Sequence, residues 1–129
     1  MIQRFIELGE GYSDIYELME LAKTNKERLQ HMMAFHTIVN NRAVSSLALV
    51  MKPTEQGKFQ AIYVCREGIP NPNITPNQRY SLFEETAKEL DRVIIQMDVK
   101  PSTLYPEKAL YYQHLIAILR LNHYILPLQ

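Results

Sequence analysis

Between residues 29 and 66 the apolar residues gather in three strand-like runs, whereas the segments at 15–22, 80–90 and 109–119 repeat them every three or four residues, as helices do. Three runs, 29–39, 43–52 and 58–66, are rich in β-branched and aromatic residues and are parted by short breaks, so they predict an antiparallel meander. Asn40-Asn41 is a two-residue connection whose side chains tolerate positive φ, and Gly57 closes the loop 53–57. In the third run Phe59, Ala61, Tyr63 and Cys65 share one face, with Gln60, Ile62 and Val64 on the other. The middle run, Leu47-Ala48-Leu49-Val50-Met51, is apolar without alternation, which marks a central strand covered on both sides.

The flanks complete the framework. Residues 2–8 read as a short peripheral strand ending in Gly9-Glu10-Gly11. Ile15, Leu18, Met19 and Ala22 form a helical stripe, capped by Ser13 or Asp14 with Glu17 as capping-box partner. Lys23, Lys26 and Arg28 crowd the far end of this helix, where cations complement its dipole. The proline-rich segment 68–76 predicts a surface crossing without ladder bonds. Thr75 as N-cap, Pro76 and Gln78 then open a second helix that buries Tyr80, Phe83, Ala87 and Leu90. A strand at 93–99 follows, and strand, helix and strand in succession imply a parallel crossover.

A third helix from Pro106 to Arg120 or Leu121 faces the sheet with Ala109, Tyr112, Ile116 and Leu119 and stops at Asn122. The order is βαβββαβα. It predicts a single α+β domain over residues 1–129, with a mixed sheet of about five strands around a central antiparallel meander.

Composition narrows the function classes. With 14 basic and 14 acidic residues the formal net charge is zero, so no field gathers nucleic acid or an acidic membrane, and little repulsion opposes self-association. The single cysteine, Cys65, allows neither an intrachain disulfide nor a cysteine-based zinc site. Charges near the amino terminus argue against a signal peptide, and no apolar run is long enough to span a bilayer, so the expected location is the cytoplasm.

Candidate chemistry is sparse. His31 and His36 are an odd number of residues apart on one strand and therefore face opposite ways, while His114 and His123 are half a turn out of phase on a helix. No metal site follows from either pair, and no cofactor is expected. Gly9-Glu10-Gly11 lies between a strand and a helix, but Asp14 stands where a dinucleotide fingerprint has its third glycine, and Glu10 adds charge where phosphate would lie. Cys65 beside Arg66 has the setting of an activated thiol without an adjacent histidine base, and its apolar strand favours a core role. Ser45-Ser46 has no nucleophile elbow around it and reads as strand filler. Phe59 and Tyr63 are spaced like the base-stacking aromatics of RNA-binding sheets, but the flanking glycines and the element order of that motif are missing.

Two resemblances add expectations. The order of helix, three-strand meander, helix and strand is similar to the core of restriction-endonuclease-like nucleases, which implies a Glu-x-Lys pair in the third strand. Gln60-Ala61-Ile62 and its neighbours supply no such pair, so nuclease activity does not carry over. At whole-chain level, Arg4-Phe5-Ile6-Glu7-Leu8-Gly9-Glu10-Gly11-Tyr12, Cys65-Arg66-Glu67-Gly68-Ile69-Pro70 and Phe83-Glu84-Glu85-Thr86-Ala87-Lys88-Glu89-Leu90 carry the second. On these segments the chain resembles a small uncharacterised protein family of Bacillus and its relatives, the YugN-like group. Some such proteins carry a methylthioribose-kinase label; this sequence has neither the nucleotide loop nor the metal-binding acids of a kinase.

The leading expectation is a non-catalytic cytosolic interaction module that self-associates as a homodimer, with Leu115 and Ile118 on the flank of the last helix as its interface. The first alternative is a small-ligand pocket between the sheet and the C-terminal helix, lined by Tyr63, Cys65, Tyr112 and Tyr124. The second is an enzyme whose site only the fold assembles.

Overall fold

The computed structural model describes residues 2–8, 13–54, 57–65 and 68–127; Gly9-Glu10-Gly11, Arg66 and the side chain of Ser13 lie outside them. The chain runs β1 (Ile2–Glu7), α1 (Ser13–Thr24), β2 (Leu29–Val39), β3 (Arg42–Met51), β4 (Phe59–Val64), β5 (Ile69–Pro70), α2 (Gln78–Glu89), β6 (Ile94–Asp98), a 3-10 turn (Ser102–Leu104) and α3 (Lys108–Leu121). The expected α+β order is present, with β5 as an addition.

The meander forms where the turn chemistry places it. Asn40 and Asn41 both have positive φ, 50° and 63°, which is the conformation that lets a two-residue turn follow the twist of β2 and β3. Gly57, at φ 65°, closes the next connection. The sheet order is β1-β4-β3-β2-β6, with β1 parallel to β4, β6 parallel to β2, and β3 antiparallel to both its neighbours. All four strands around β3 therefore point one way.

Helix placement follows from this order. The crossovers β1 to β2 through α1 and β4 to β6 through α2 both move towards β6, so a common right hand puts both helices on one face. There Ile15, Leu18 and Ala22 of α1 and Phe83 and Ala87 of α2 pack on Met32, Ala34, Leu47 and Leu49. The opposite parity of the same strands, Met33, Phe35, Ala48, Val50, Ile62 and Val64, packs under α3. Every residue of β3 from Ser45 to Met51 is buried, as a central strand between two helical layers must be.

Four expectations are corrected. Ile69-Pro70 pairs with Val44-Ser45 of β3, and Ile69 is fully buried, so the proline-rich crossing does contribute a ladder. Proline is tolerated because it is a short segment at the sheet margin. Helix α2 is capped by Asn77, not Thr75: the Asn77 Oδ1 accepts the Tyr80 backbone N–H at 2.9 Å, and its Nδ2 donates to the Pro70 carbonyl at 2.8 Å. That second bond ties the helix start to β5. Helix α1 begins at Ser13, so Asp14 sits in its first turn, where a carboxylate suits the dipole.

The fourth correction concerns α3. Its buried row is Tyr111, Leu115 and Leu119, while Ala109 is exposed and Tyr112 and Ile116 only flank the row. Leu115 is therefore part of its own chain's core, at 1% exposure, and is no interface residue; Ile118 is half-buried on the flank. Asn122 ends the helix and His123, at φ 62°, turns the chain, so that the Tyr124 N–H reaches the Leu119 carbonyl and the His123 N–H the Arg120 carbonyl. This closure returns Ile125 to the core at 3% exposure. Helix α2 ends in the same way around Asp91.

Candidate functional site

Because the parallel strands share a direction, their carboxyl ends line one edge of the sheet, and α3, which follows β6, starts at that edge. A crevice of about 220 Å³ opens there, lined by Glu7, Ser46, Val64, Cys65, Ser102, Lys108, Tyr111 and Tyr112. In open sheets with helices on both faces, the carboxyl edge is where ligands are commonly held.

Each wall has a local cause. Glu7 ends β1 and is in register with Val64, the last residue of β4. Beyond Val64 the Cys65 N–H reaches the Leu47 carbonyl at 3.0 Å, and pairing with β3 is present again at Ile69 and Ser45. Helix α3 brings Lys108 and Tyr112 over Glu7 and runs back antiparallel to β1, its Arg120 Nε donating to the Gln3 Oε1 at 2.7 Å. The Tyr112 ring stacks on Phe5 at 4.8 Å, which fixes where its hydroxyl points.

The electrostatics centre on Glu7. Its carboxylate accepts from Lys108 Nζ, at 3.2 Å to Oε1 and 3.4 Å to Oε2, and from the Tyr112 hydroxyl. Lys108 occupies the first turn of α3, where the helix's own dipole is positive, so Glu7 answers two positive partners. The Lys108 side chain is half-exposed, and an ion pair so open to water is worth about 1 kcal/mol or less. It can open at little cost.

Cys65 contributes wall rather than a nucleophile. Its thiol packs with the α1 and α2 core, donates to the Leu47 carbonyl and accepts the Leu47 N–H. Burial pushes its pKa up to about 11, against the smaller lowering effects of the Leu47 bonds and the Arg79 charge. Native protein at pH 8 is expected to alkylate with iodoacetamide far more slowly than protein in urea; equal rates would show an accessible thiolate.

Of the four residues read as a pocket lining, Cys65 and Tyr112 meet at this crevice. Tyr63 instead packs with the α1 core and lines a separate apolar groove with Leu8 and Leu21. Tyr124 lies on the α3 face, its ring edge-on to His31 at 5.6 Å. Burial, and secondarily the charge of Arg92, lowers the His31 pKa below its usual 6.5. The unfolded chain therefore takes up this proton first, and the stability present above pH 6.5 is lost as the pH falls through the folded value. The melting temperature is expected to fall between pH 7.5 and 5, less steeply in His31→Gln; identical slopes would refute the assignment.

A second polar cluster tests for nucleophile chemistry. The His36 Nε2–H donates to the Gln96 Oε1 at 3.0 Å, which leaves Nδ1 to accept from the Ser45 hydroxyl at 2.6 Å. Ser45 has no exposed surface, so no substrate carbonyl can reach its oxygen, and the trio is a satisfied structural bridge across β3, β2 and β6. Its first link was open to sequence reasoning: His36 and Ser45 stand equally far from the Asn40-Asn41 turn. Among the described residues, no group of three or more histidines, cysteines or acids is arranged to hold a metal ion.

The family profile for a domain of unknown function, DUF7147, matches residues 1–125. The chain belongs to this family. No curated protein and no solved structure matches it. The DUF7147 match spans every element that builds the crevice, from Glu7 to Tyr112. Among the described residues no helix is long and apolar enough to cross a membrane.

Proposed function

We infer that the protein binds a small zwitterion of amino-acid size in the crevice at the carboxyl edge of its sheet. The observation that carries this reading is the Glu7, Lys108 and Tyr112 constellation: opposite charges held side by side at the mouth of a hollow, with the Ser46 and Ser102 positions and two tyrosine rings around it. An ammonium group takes the place of Lys108 at Glu7, and a carboxylate meets Lys108 and the positive end of α3. One weak ion pair is exchanged for two. The hollow, at about 220 Å³, is smaller than the roughly 300 Å³ where drug-sized pockets begin, which favours a ligand of few atoms.

The reading is of binding without turnover, supported by the Cys65 thiol, which is buried and bonded to the Leu47 backbone. The setting that goes with it is the cytoplasm of Bacillus and related bacteria, from the resemblance of the segments around Glu7 and Cys65.

A thermal-shift series with neutral α-amino acids, and with the matching amines and carboxylic acids alone, tests it. A zwitterion at a hundred times its Kd stabilises by roughly 2.7 kcal/mol, a rise on the order of 10 °C. Glu7→Gln and Lys108→Met should each abolish the response while keeping the fold, since the lysine of the pair they break is half-exposed and a glutamine at position 7 can still accept from the Tyr112 hydroxyl. No shift with any zwitterion, or an undiminished shift in both variants, would overturn the reading.

A further inference from the structure

The free edge of the sheet at β6 carries its own recognition pattern. Among the described residues β6 pairs with β2 alone. The Val99 N–H reaches the His36 carbonyl at 2.8 Å, so odd-numbered residues of this strand turn their backbone groups to β2 and Ile94, Gln96 and Asp98 turn theirs outward. No proline, lysine or bulge interrupts β6 to blunt this edge. The opposite edge is managed: β1 has Arg4 exposed near its middle, and Gln3 at its start is bonded to the Leu126 carbonyl of the returning tail.

Side chains along β6 are also incompletely covered. Helix α3 lies towards β1, where Tyr112 meets Phe5 and Arg120 meets Gln3. On the same face, Ile95 and Met97 stay half-buried, and Val93 just before the strand is 85% exposed. Ile118 is on the flank of α3 away from β1, in one helical row with His114, which packs on Tyr105.

The geometry points to a second copy of this chain as the occupant of that edge, paired antiparallel through β6 about a two-fold axis centred on Ile95. An axis perpendicular to the sheet keeps every side chain on its own face, so facing residues must share parity and the axis must pass through a residue. Three registers keep three or more strand residues paired, and of these, centring on Met97 would oppose Ile94 to Lys100, an apolar side chain to a charge. Centring on Gln96 would oppose Asp98 to Ile94 and Arg92 to Lys100, a charge against an apolar side chain and a like-charge pair. Centring on Ile95 opposes Arg92 to Asp98, Val93 to Met97 and Ile95 to itself, and joins the outward backbone groups of Ile94 and Gln96. Arg92 is anchored within its own chain, its Nη2 donating to the Leu29 carbonyl at 2.8 Å and its Nη1 to the Gln30 carbonyl at 3.3 Å, and Asp98 is exposed. Charge complementarity and apolar matching select one register, and both sheets become one continuous sheet. The zero net charge sets no long-range barrier.

Cysteine trapping and sedimentation test this together. Cys65 is buried, so a cysteine introduced at the edge is the reactive thiol. Ile95→Cys places its sulfurs on the axis in a non-hydrogen-bonded pair, whose spacing suits a disulfide, and should form a covalent dimer under mild oxidation. Gln96→Cys should not. Sedimentation of the unmodified chain over a concentration series should show a dimer, weakened at least tenfold by Asp98→Lys with an unchanged circular dichroism spectrum. A cross-link at position 96 but not 95 would overturn the register. An unmodified chain that stays monomeric at every concentration, or a dimer indifferent to Asp98→Lys, would overturn the interface.

Discussion

Leu115→Glu is expected to leave no cooperatively folded protein at 25 °C, while Ile118→Glu folds. Leu115 has 1% of its surface exposed and packs among Phe35, Val50 and Leu119 beneath α3. Losing such a leucine costs about 2 to 5 kcal/mol, and an ionised carboxylate left there without a partner costs several more. The sum reaches the whole stability of an ordinary domain, roughly 5 to 15 kcal/mol. Ile118 is half-buried, so a glutamate there can turn to water. Far-UV circular dichroism and urea titration of the two variants separate these outcomes. A folded Leu115→Glu would mean that α3 presents a different face to the sheet.

The other face is tested by Phe83→Ala. Phe83 is fully buried between α2 and the sheet, in a cluster with Ile15, Leu18 and Leu47, and its ring lies 6.4 Å from that of Tyr80. Truncating it leaves a ring-sized cavity and should cost about 3 to 5 kcal/mol. At this chain length that lowers the melting temperature by about 10 to 20 °C, with the urea m-value unchanged if the native state keeps its shape. A loss under 1 kcal/mol would mean that α2 is not docked as described.

The parts of this fold that were legible in the sequence are those decided locally. The meander could be read because Asn40-Asn41 selects a primed turn and the strand parity of residues 59 to 65 assigns each side chain to a face. The α1 stripe was legible for the same reason: apolar Ile15, Leu18, Met19 and Ala22 stand out against charged neighbours. On α3 the contrast is missing. Leu110, Tyr111, Tyr112, Leu115, Ile116, Ile118, Leu119 and Leu121 are apolar nearly all round, so periodicity alone favours no row, and the tail contact of Ile125 helps decide for Tyr111, Leu115 and Leu119.

The crevice was less visible still, since its polar walls come from β1, β3, the turn after β6 and α3, and only the sheet order brings them together. One signal did exist. Lys108 stands in the first turn of a helix, against the dipole, and a cation so placed calls for an anionic neighbour, which Glu7 supplies. Pro76 and Gln78 follow Thr75 in the usual pattern of a cap, but the bond from Asn77 to the Pro70 carbonyl, which needs β5, places the α2 start two residues later.

Amide chemical-shift mapping of uniformly ¹⁵N-labelled protein, titrated with a neutral α-amino acid that raises its melting temperature, tests the binding claim at the residues themselves. Saturable changes are expected at Glu7, Ser46, Val64, Ser102, Lys108 and Tyr111, with none at Glu20, Leu21 or Asn25 in the groove beside α1. Saturable changes confined to that groove, or no change anywhere up to millimolar ligand, would contradict it.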